Sequence, residues 1–360
     1  MKILLTPYIL HSDDSAAYFL SQNLIDLFRS NGDITAVSAA GDCTLRGTEL
    51  IAAPLPQSSF FDRFRKVSHG SSYEEFLSSH NLLSAVNLRH DVTAVLDAID
   101  HFQPDVIYEY CRPAALIAAR IRQIPVRSFI HAGMYRSRNI PANLLSDINE
   151  VLAENRLEQV LKLTDLYGYA ETLYSFGSPS LQSFPDTLKI TRLGAMGSFF
   201  ENISSHSSVS IYLGETAMKK TRLKKLVEDT FLGASYEVNV YLGDLPGGAE
   251  ENIHWLTGLK TFVIPGCSAV IHDGNDYIFN YAAMLGIPQL IISDNSCMRS
   301  WNAFAASRNG IGIAINESEM NVSTIYENYR RLVTDDYYTI RAGMIRDELR
   351  SLGGIEQIIF

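Results

Sequence analysis

Apolar residues recur along the chain in two alternating patterns. Short continuous runs such as "KILLTPY", "DITAVSAA", "PDVIYEY" and "PVRSFI" read as buried strands. Between them, apolar residues recur at helical spacing. Asp13 to Arg29 carries Ala16, Phe19, Leu20, Leu24, Leu27 and Phe28 on one stripe, with Ser12 or Asp13 as the N-cap and Asn31-Gly32 closing it. "HDVTAVLDAIDHF" and "PAALIAARIRQ", the latter opened by Pro113, read as further helices. Strand-helix-strand units of this kind predict a parallel sheet with helices on both faces.

The pattern lapses twice. Residues 41–83 are rich in Ser, Pro, Phe and charge and read as excursions over the first domain, where substrate contacts commonly lie. "GAMGSFFENISSHSS", Gly194 to Ser208, is small, polar and aperiodic, and reads as a linker. A second series follows: "VSIYLG", a helix with a basic face in "AMKKTRLKKLVEDTFL", "YEVNVYLG", "CSAVIH", "YIFNYAAML", "PQLIIS", "WNAFAASR" and "GIGIAI", then two closing helices. The expectation is an α/β chain of two doubly wound, Rossmann-like domains, residues 1–196 and 208–360, facing a cleft at the carboxyl ends of their strands.

Composition fits this picture. The 360 residues are 46% hydrophobic and 19% charged, which is globular, and two domains suit the length. The formal net charge of −10 argues against nucleic acid as a partner, though not against a single nucleotide. "MKILLTPYIL" lacks a small-residue cleavage site and reads as a first strand rather than a signal peptide. No apolar run is long enough for a transmembrane segment. Cys43, Cys111, Cys267 and Cys297 show no metal spacing and read as reduced thiols of a cytoplasmic protein.

Chemistry concentrates where a buried strand ends at Ile271 and His272, Asp273 and Gly274 turn into a helix near Asn275 or Asp276. Backbone N–H groups at a helix start attract anions, and a Gly admits a phosphate closely. A His beside a Gly turn is more often structural than ligating when it stands alone.

Here it does not stand alone. "VIPGCSAVIHDG" (Val263–Gly274), "MLGIPQLII" (Met284–Ile292) and "WNAFAASRNGIGIAI" (Trp301–Ile315) together resemble the two-domain GT-B nucleotide-sugar glycosyltransferases, closest to the family-1-like enzymes that glycosylate natural products. The resemblance implies an inverting, metal-independent hexosyltransferase using a UDP- or TDP-sugar donor and a hydroxyl of a small apolar acceptor. It implies His272 and Gly274 at the donor diphosphate, followed by Asn275 and Asp276. A carboxylate at Asp276 would repel phosphate unless it points away or meets a cation. The family's ribose-binding Glu falls at Asn280, which hydrogen-bonds a diol without charge assistance. The family's sugar-contacting acidic-Gln pair falls either at Met298 and Arg299 or at Asp294 and Asn295. Gly214-Glu215-Thr216 matches the phosphate-contacting loop after the second domain's first strand. Trp255 either stacks on the base or belongs to the core.

On the catalytic side, the resemblance puts the general base at His11 and its orienting carboxylate at Glu109, with Asp13 or Asp14 and His131 in reserve. Leu10 stands where the family has Gly before the base, and Asp13 also suits a helix cap. No metal-ligand pattern is present, and no cofactor is expected beyond the nucleotide sugar. A homodimer or an auxiliary protein stays open. The altered motif also allows a catalytically impaired GT-B scaffold that activates another biosynthetic enzyme. A sugar-nucleotide epimerase shares the fold but fits the "GIPQL" to "GIGI" series less well.

Overall fold

The computed structural model describes residues 1–8, 16–40, 44–53, 72–136, 142–197, 208–214, 216, 218–243, 245–257, 264–294 and 296–358. Two seven-stranded sheets account for the two alternating series. The first holds β1 (Lys2–Pro7), β2 (Ile34–Ala40), β3 (Glu49–Ala53), β4 (Val106–Tyr110), β5 (Val126–Phe129), β6 (Thr172–Phe176) and β7 (Ile190–Leu193). Its strands run in the order β3-β2-β1-β4-β5-β6-β7, every pair parallel. Helices α1 (Ala16–Ser30), α2 (Tyr73–Ser79), α3 (Ala85–Phe102), α4 (Pro113–Arg122) and α5 (Ala142–Glu154) connect them.

The second sheet holds β8 (Ser208–Tyr212), β9 (Glu237–Tyr241), β10 (Gly248–Glu250), β11 (Ile253–Trp255), β12 (Cys267–His272), β13 (Gln289–Ser293) and β14 (Gly312–Asn316). The order is β10-β11-β9-β8-β12-β13-β14, parallel except for β10 against β11. Its helices are α6 (Lys220–Phe231), α7 (Asp276–Leu285), α8 (Cys297–Asn309), α9 (Val322–Thr334) and α10 (Asp336–Ser351). Strand order reverses between β1 and β4 in one sheet and between β8 and β12 in the other, so each domain opens a crevice at those carboxyl ends.

Both sheets are buried on two faces, which explains the unbroken apolar runs. On one side of the first sheet, α3 and α4 pack with Leu4, Ile107 and Val126. On the other, α1 packs with Ile3, Leu5 and Tyr108. In the second, α6 and α9 cover Val209, Ile211 and Ile271.

Residues 41–83 were expected to be excursions, but β3 and α2 lie there. β3 is an edge strand whose residues are mostly exposed, so it carries no apolar run to read. α2 is a short helix opened by Ser72, whose side chain accepts from the Glu75 N–H. The chain also crosses between domains twice. After α10, Gly353 O accepts from Gly194 N (2.7 Å), and Ile355 and Ile358 enter the core under α1. No helix among the described residues is long and apolar enough to cross a membrane.

Candidate functional site at the domain boundary

β4 and β5 end beside the start of α7, and a small, partly open pocket lies between the domains there. One wall is polar: Tyr110, His131, Gln182, Asp276, Asn280 and Asn302. The other is apolar, with Phe129, Ile130, Phe176, Met196 and Phe279.

The same local device builds both sides of this boundary. "IHAG" (Ile130–Gly133) follows β5, and "IHDG" (Ile271–Gly274) ends β12. In each, the Gly N–H turns back and donates to the His Nδ1, at 3.0 Å for Gly133 and 3.1 Å for Gly274. A proton on Nδ1 of His272 would then face a donor, so that ring carries its proton on Nε2. Both glycines are obligatory. A Cβ on Gly133 would lie 2.6 Å from Cys297 O in the other domain, and Gly274 has φ +86° and would meet Arg299 O at 2.9 Å.

The two histidines differ in what their Nε2 meets. His272 is fully buried, and its Nε2–H donates to Gln289 Oε1 at 2.8 Å. Burial pushes its pKa down to about 4. Sequence reasoning expected His272 to donate to a phosphate, but both ring nitrogens are committed inside the protein. In this arrangement the ring shapes the turn. His131 faces the cavity. Its Nε2 lies 3.0 Å from Asn302 Oδ1 and 2.9 Å from the Gln182 amide nitrogen, with Asp276 Oδ1 3.5 Å away. The Gln182 oxygen accepts from Ala132 N. His131 Nε2 is thus enclosed by Asn302, Gln182 and Asp276.

Asp276 opens α7 and reaches across the boundary. Tyr110 OH donates to its Oδ2 (3.2 Å), and Asn302 Nδ2 donates to its Oδ1 (2.5 Å) and to Gly274 O (3.0 Å). Asn275 is the α7 cap, its Oδ1 accepting from Tyr277 N and Ile278 N. The helix start is thus satisfied from within the chain. Asn280, expected at ribose hydroxyls, spends its amide elsewhere: Nδ2 donates to Gly194 O (2.8 Å), and Oδ1 accepts from Met196 N (3.1 Å). It ties α7 to the interdomain crossing.

Arg299, expected either in the sugar pocket or on the rim, is buried and held by Asp294, with Ser296 and Asp273 beside it. Trp255 belongs to the second domain's core, with the Lys224 ammonium 5.2 Å from its ring centroid. Gly214 follows β8, its carbonyl accepting from Lys220 Nζ (2.8 Å), and among the described residues the nearby buried Thr216 Oγ1 has no partner.

Glu109 lies at the end of β4, fully buried. Oε1 accepts from the Arg112 N–H at 2.5 Å, at the start of α4, and Ser128 stands beside the carboxyl on the neighbouring β5. Burial raises its pKa to about 7 against the opposing pull of that N–H. His11, Asp13, Asp14, Glu215 and Asn295 lie outside the described residues. Among the described residues no three His, Cys, Asp or Glu side chains form a metal-holding group.

Sequence reasoning missed Asn302, Gln182 and Tyr110. The repeated I-H-x-G is the signal that pairs the two turns, and Asn302 lies within the "WNA" that served only as a motif anchor.

Residues 243–353 match the family described as erythromycin biosynthesis protein CIII-like, C-terminal domain. Comparison with curated protein sequences returned no match. Among solved structures, the glycotransferase of kitacinnamycin has a TM-score of 0.73 at 16% identity, over 99% of this chain and 96% of that one. Spinosyn rhamnosyltransferase SpnG complexed with thymidine diphosphate has a TM-score of 0.72 at 15% identity, over 99% and 98% of the two chains. The same enzyme complexed with spinosyn aglycone has a TM-score of 0.73 at 15% identity, with the same coverage. The chain thus has the two-domain GT-B fold of natural-product glycosyltransferases, and its second half resembles the erythromycin biosynthesis protein CIII-like domain.

Proposed function

We propose that the chain is a glycosyltransferase moving a hexose from a TDP- or UDP-sugar to a hydroxyl of a small apolar acceptor, with inversion and without a metal ion. The observation that carries the reading is the GT-B architecture, two parallel sheets whose strand orders reverse toward a shared boundary, with a pocket there lined from the ends of β4, β5 and β6 and from α7 and α8. The solved relatives named above, one with thymidine diphosphate and one with an aglycone, support TDP as the first donor to test.

The donor's diphosphate belongs on the second domain. Gly214, Thr216 with its unpartnered hydroxyl, and the Lys220 ammonium behind them form the cationic, donor-rich side. The acceptor belongs on the first domain, with His11 as general base and Asp13 as its substitute. Glu109, a buried carboxyl at the end of β4, supports a role in orienting that imidazole.

Calorimetry with TDP and UDP, followed by mass spectrometry of transfer to a panel of apolar alcohols, tests the reading. His11→Ala should lower turnover by about 10²–10⁴-fold with TDP affinity kept, because the nucleotide sits on the other domain. Failure of the wild-type protein to bind either nucleotide would refute the assignment.

A further inference from the structure

Cations are concentrated where the second domain's first strand gives way to its first helix. The chain carries 40 Asp and Glu against 30 Lys and Arg, yet Lys219, Lys220, Arg222, Lys224 and Lys225 fall within seven consecutive residues that hold no carboxylate. They occupy the first two turns of α6 and the residue that caps it. That is the unfavourable end, because cations at a helix amino terminus oppose the macrodipole. Lys220 and Lys224 have partners inside the chain. Lys220 Nζ donates to Gly214 O, and Lys224 pairs with Glu228 at 3.3 Å with its ammonium over the Trp255 ring. Lys219, Arg222 and Lys225 are exposed, and none of them makes a side-chain hydrogen bond, ion pair or ring contact among the described residues. Their three-residue spacing sets them along one side of the helix, and from Lys219 to Lys225 the rise is about 9 Å.

The position of this face in the fold indicates what it serves. α6 follows the carboxyl end of β8, where the strand order reverses against β12. A Cβ on Gly243, just past the neighbouring β9, would meet the Lys220 ammonium at 2.7 Å. The cationic side therefore starts at the mouth of the second domain's crevice. A formal net charge of −10 makes the chain as a whole repel an anion. A cluster of unpaired cations reverses that sign locally, over a Debye length of about 8–10 Å at physiological salt, which is about the length of the stripe. Glu228 and Asp229 end the stripe in the last turn of α6, and Glu215, beside Gly214 in sequence, lies outside the described residues. We propose that Lys219, Arg222 and Lys225 form a cationic approach surface that draws the donor's diphosphate toward the second domain. The identity of the anion rests on the glycosyl-transfer reading above, and the surface itself rests on the charge pattern.

Calorimetry on the full chain at pH 7 tests this with thymidine, TDP, UDP and pyrophosphate, from about 20 mM to about 500 mM NaCl. The variant carries Lys219→Gln, Arg222→Gln and Lys225→Gln together. All three positions are exposed and Gln is a good helix former, so the fold is kept. A control variant carries Arg156→Gln, Lys162→Gln and Lys189→Gln, the same charge change at exposed positions of the first domain. At low salt the α6 variant should bind TDP about tenfold more weakly than wild type, the lower end of what local charge supplies. The gap should close at high salt, thymidine should not distinguish the proteins, and the control should follow wild type. Equal TDP affinity in wild type and the α6 variant at low salt, or an equal loss in the control, overturns the proposal and leaves the glycosyl-transfer reading standing. Pyrophosphate bound by wild type and lost from the α6 variant, with neither TDP nor UDP bound, keeps the cationic surface and removes the glycosyl-transfer reading. No binding of TDP, UDP or pyrophosphate to wild type overturns both.

Discussion

Glu109→Gln isolates the cost of burying a carboxyl at the heart of the first domain. Its pKa is raised from 4.5 to about 7, burial being the main cause. Between those values the folded chain holds a proton that the unfolded chain has released. Stability therefore falls as pH rises from 4.5 to 7. At about 1.4 kcal/mol per pH unit, the gap from 4.5 to about 7 amounts to about 3 kcal/mol. Gln does not titrate, so this slope is absent in the variant. His272 acts in the opposite sense. Its pKa is lowered from 6.5 to about 4, so the unfolded chain binds the extra proton and stability is lost as pH falls through that window. The two slopes oppose one another between pH 4.5 and 6.5. Removing Glu109 exposes the His272 slope, and the variant should lose stability on acidification where the wild type stays nearly level in these two contributions. Urea unfolding followed by far-UV circular dichroism at pH 4.5, 5.5, 6.5 and 7.5 measures this. The variant's stability relative to wild type should rise by about 3 kcal/mol from the lowest pH to the highest. A difference that stays constant across the series would refute the reasoning.

Three further outcomes follow. Gly133→Ala should destabilise by about 1–3 kcal/mol, because the new methyl meets the Cys297 carbonyl, which is backbone and cannot swing aside; denaturation within 0.5 kcal/mol of wild type, roughly the scatter of surface substitutions, would contradict the packing. Asn280→Ala should cost about 1–3 kcal/mol for each backbone group it strands at Gly194 and Met196, while nucleotide affinity holds; a loss of affinity at unchanged stability would restore the ribose role. EDTA should leave transfer activity unaltered, and activity lost to chelation and regained with magnesium or manganese would reverse the metal-independent reading.

Most of the fold was legible because parallel strands buried on both faces write themselves as apolar runs, and "CSAVIH", "YIFNYAAML" and "PQLIIS" map onto β12, α7 and β13. β3 was not, since an exposed edge strand such as "ELIAA" leaves only one buried side chain to signal it. The site was legible in place and misread in detail. His272, Gly274 and Asp276 do lie at a domain crevice, as the strand-turn-helix pattern implies. What each side chain does there depends on partners far along the chain. Asn280 reaches a backbone 84 to 86 residues away, and Asn302 meets His131 at a separation of 171. No local spacing encodes such a meeting. Trp255 and Arg299 show the same limit: a motif names the position, and packing alone decides between ligand and core.

The return of the chain's end to the first domain bears on how such proteins can be recombined. If the proposed donor and acceptor sides fall to separate halves, exchange at the 198–207 joint is the obvious recombination. Ile355 and Ile358, however, pack beneath α1, and Gly353 and Gly354 pair with Gly194 and Ala195. A chimera cut once at the joint therefore imports a foreign plug into the recipient's α1 groove. Burying or exposing one such aliphatic side chain is worth about 1.5–3 kcal/mol, enough to unfold a marginal hybrid. The exchangeable cassette has two cuts, the second just after α10, with the last turn left native to the acceptor half.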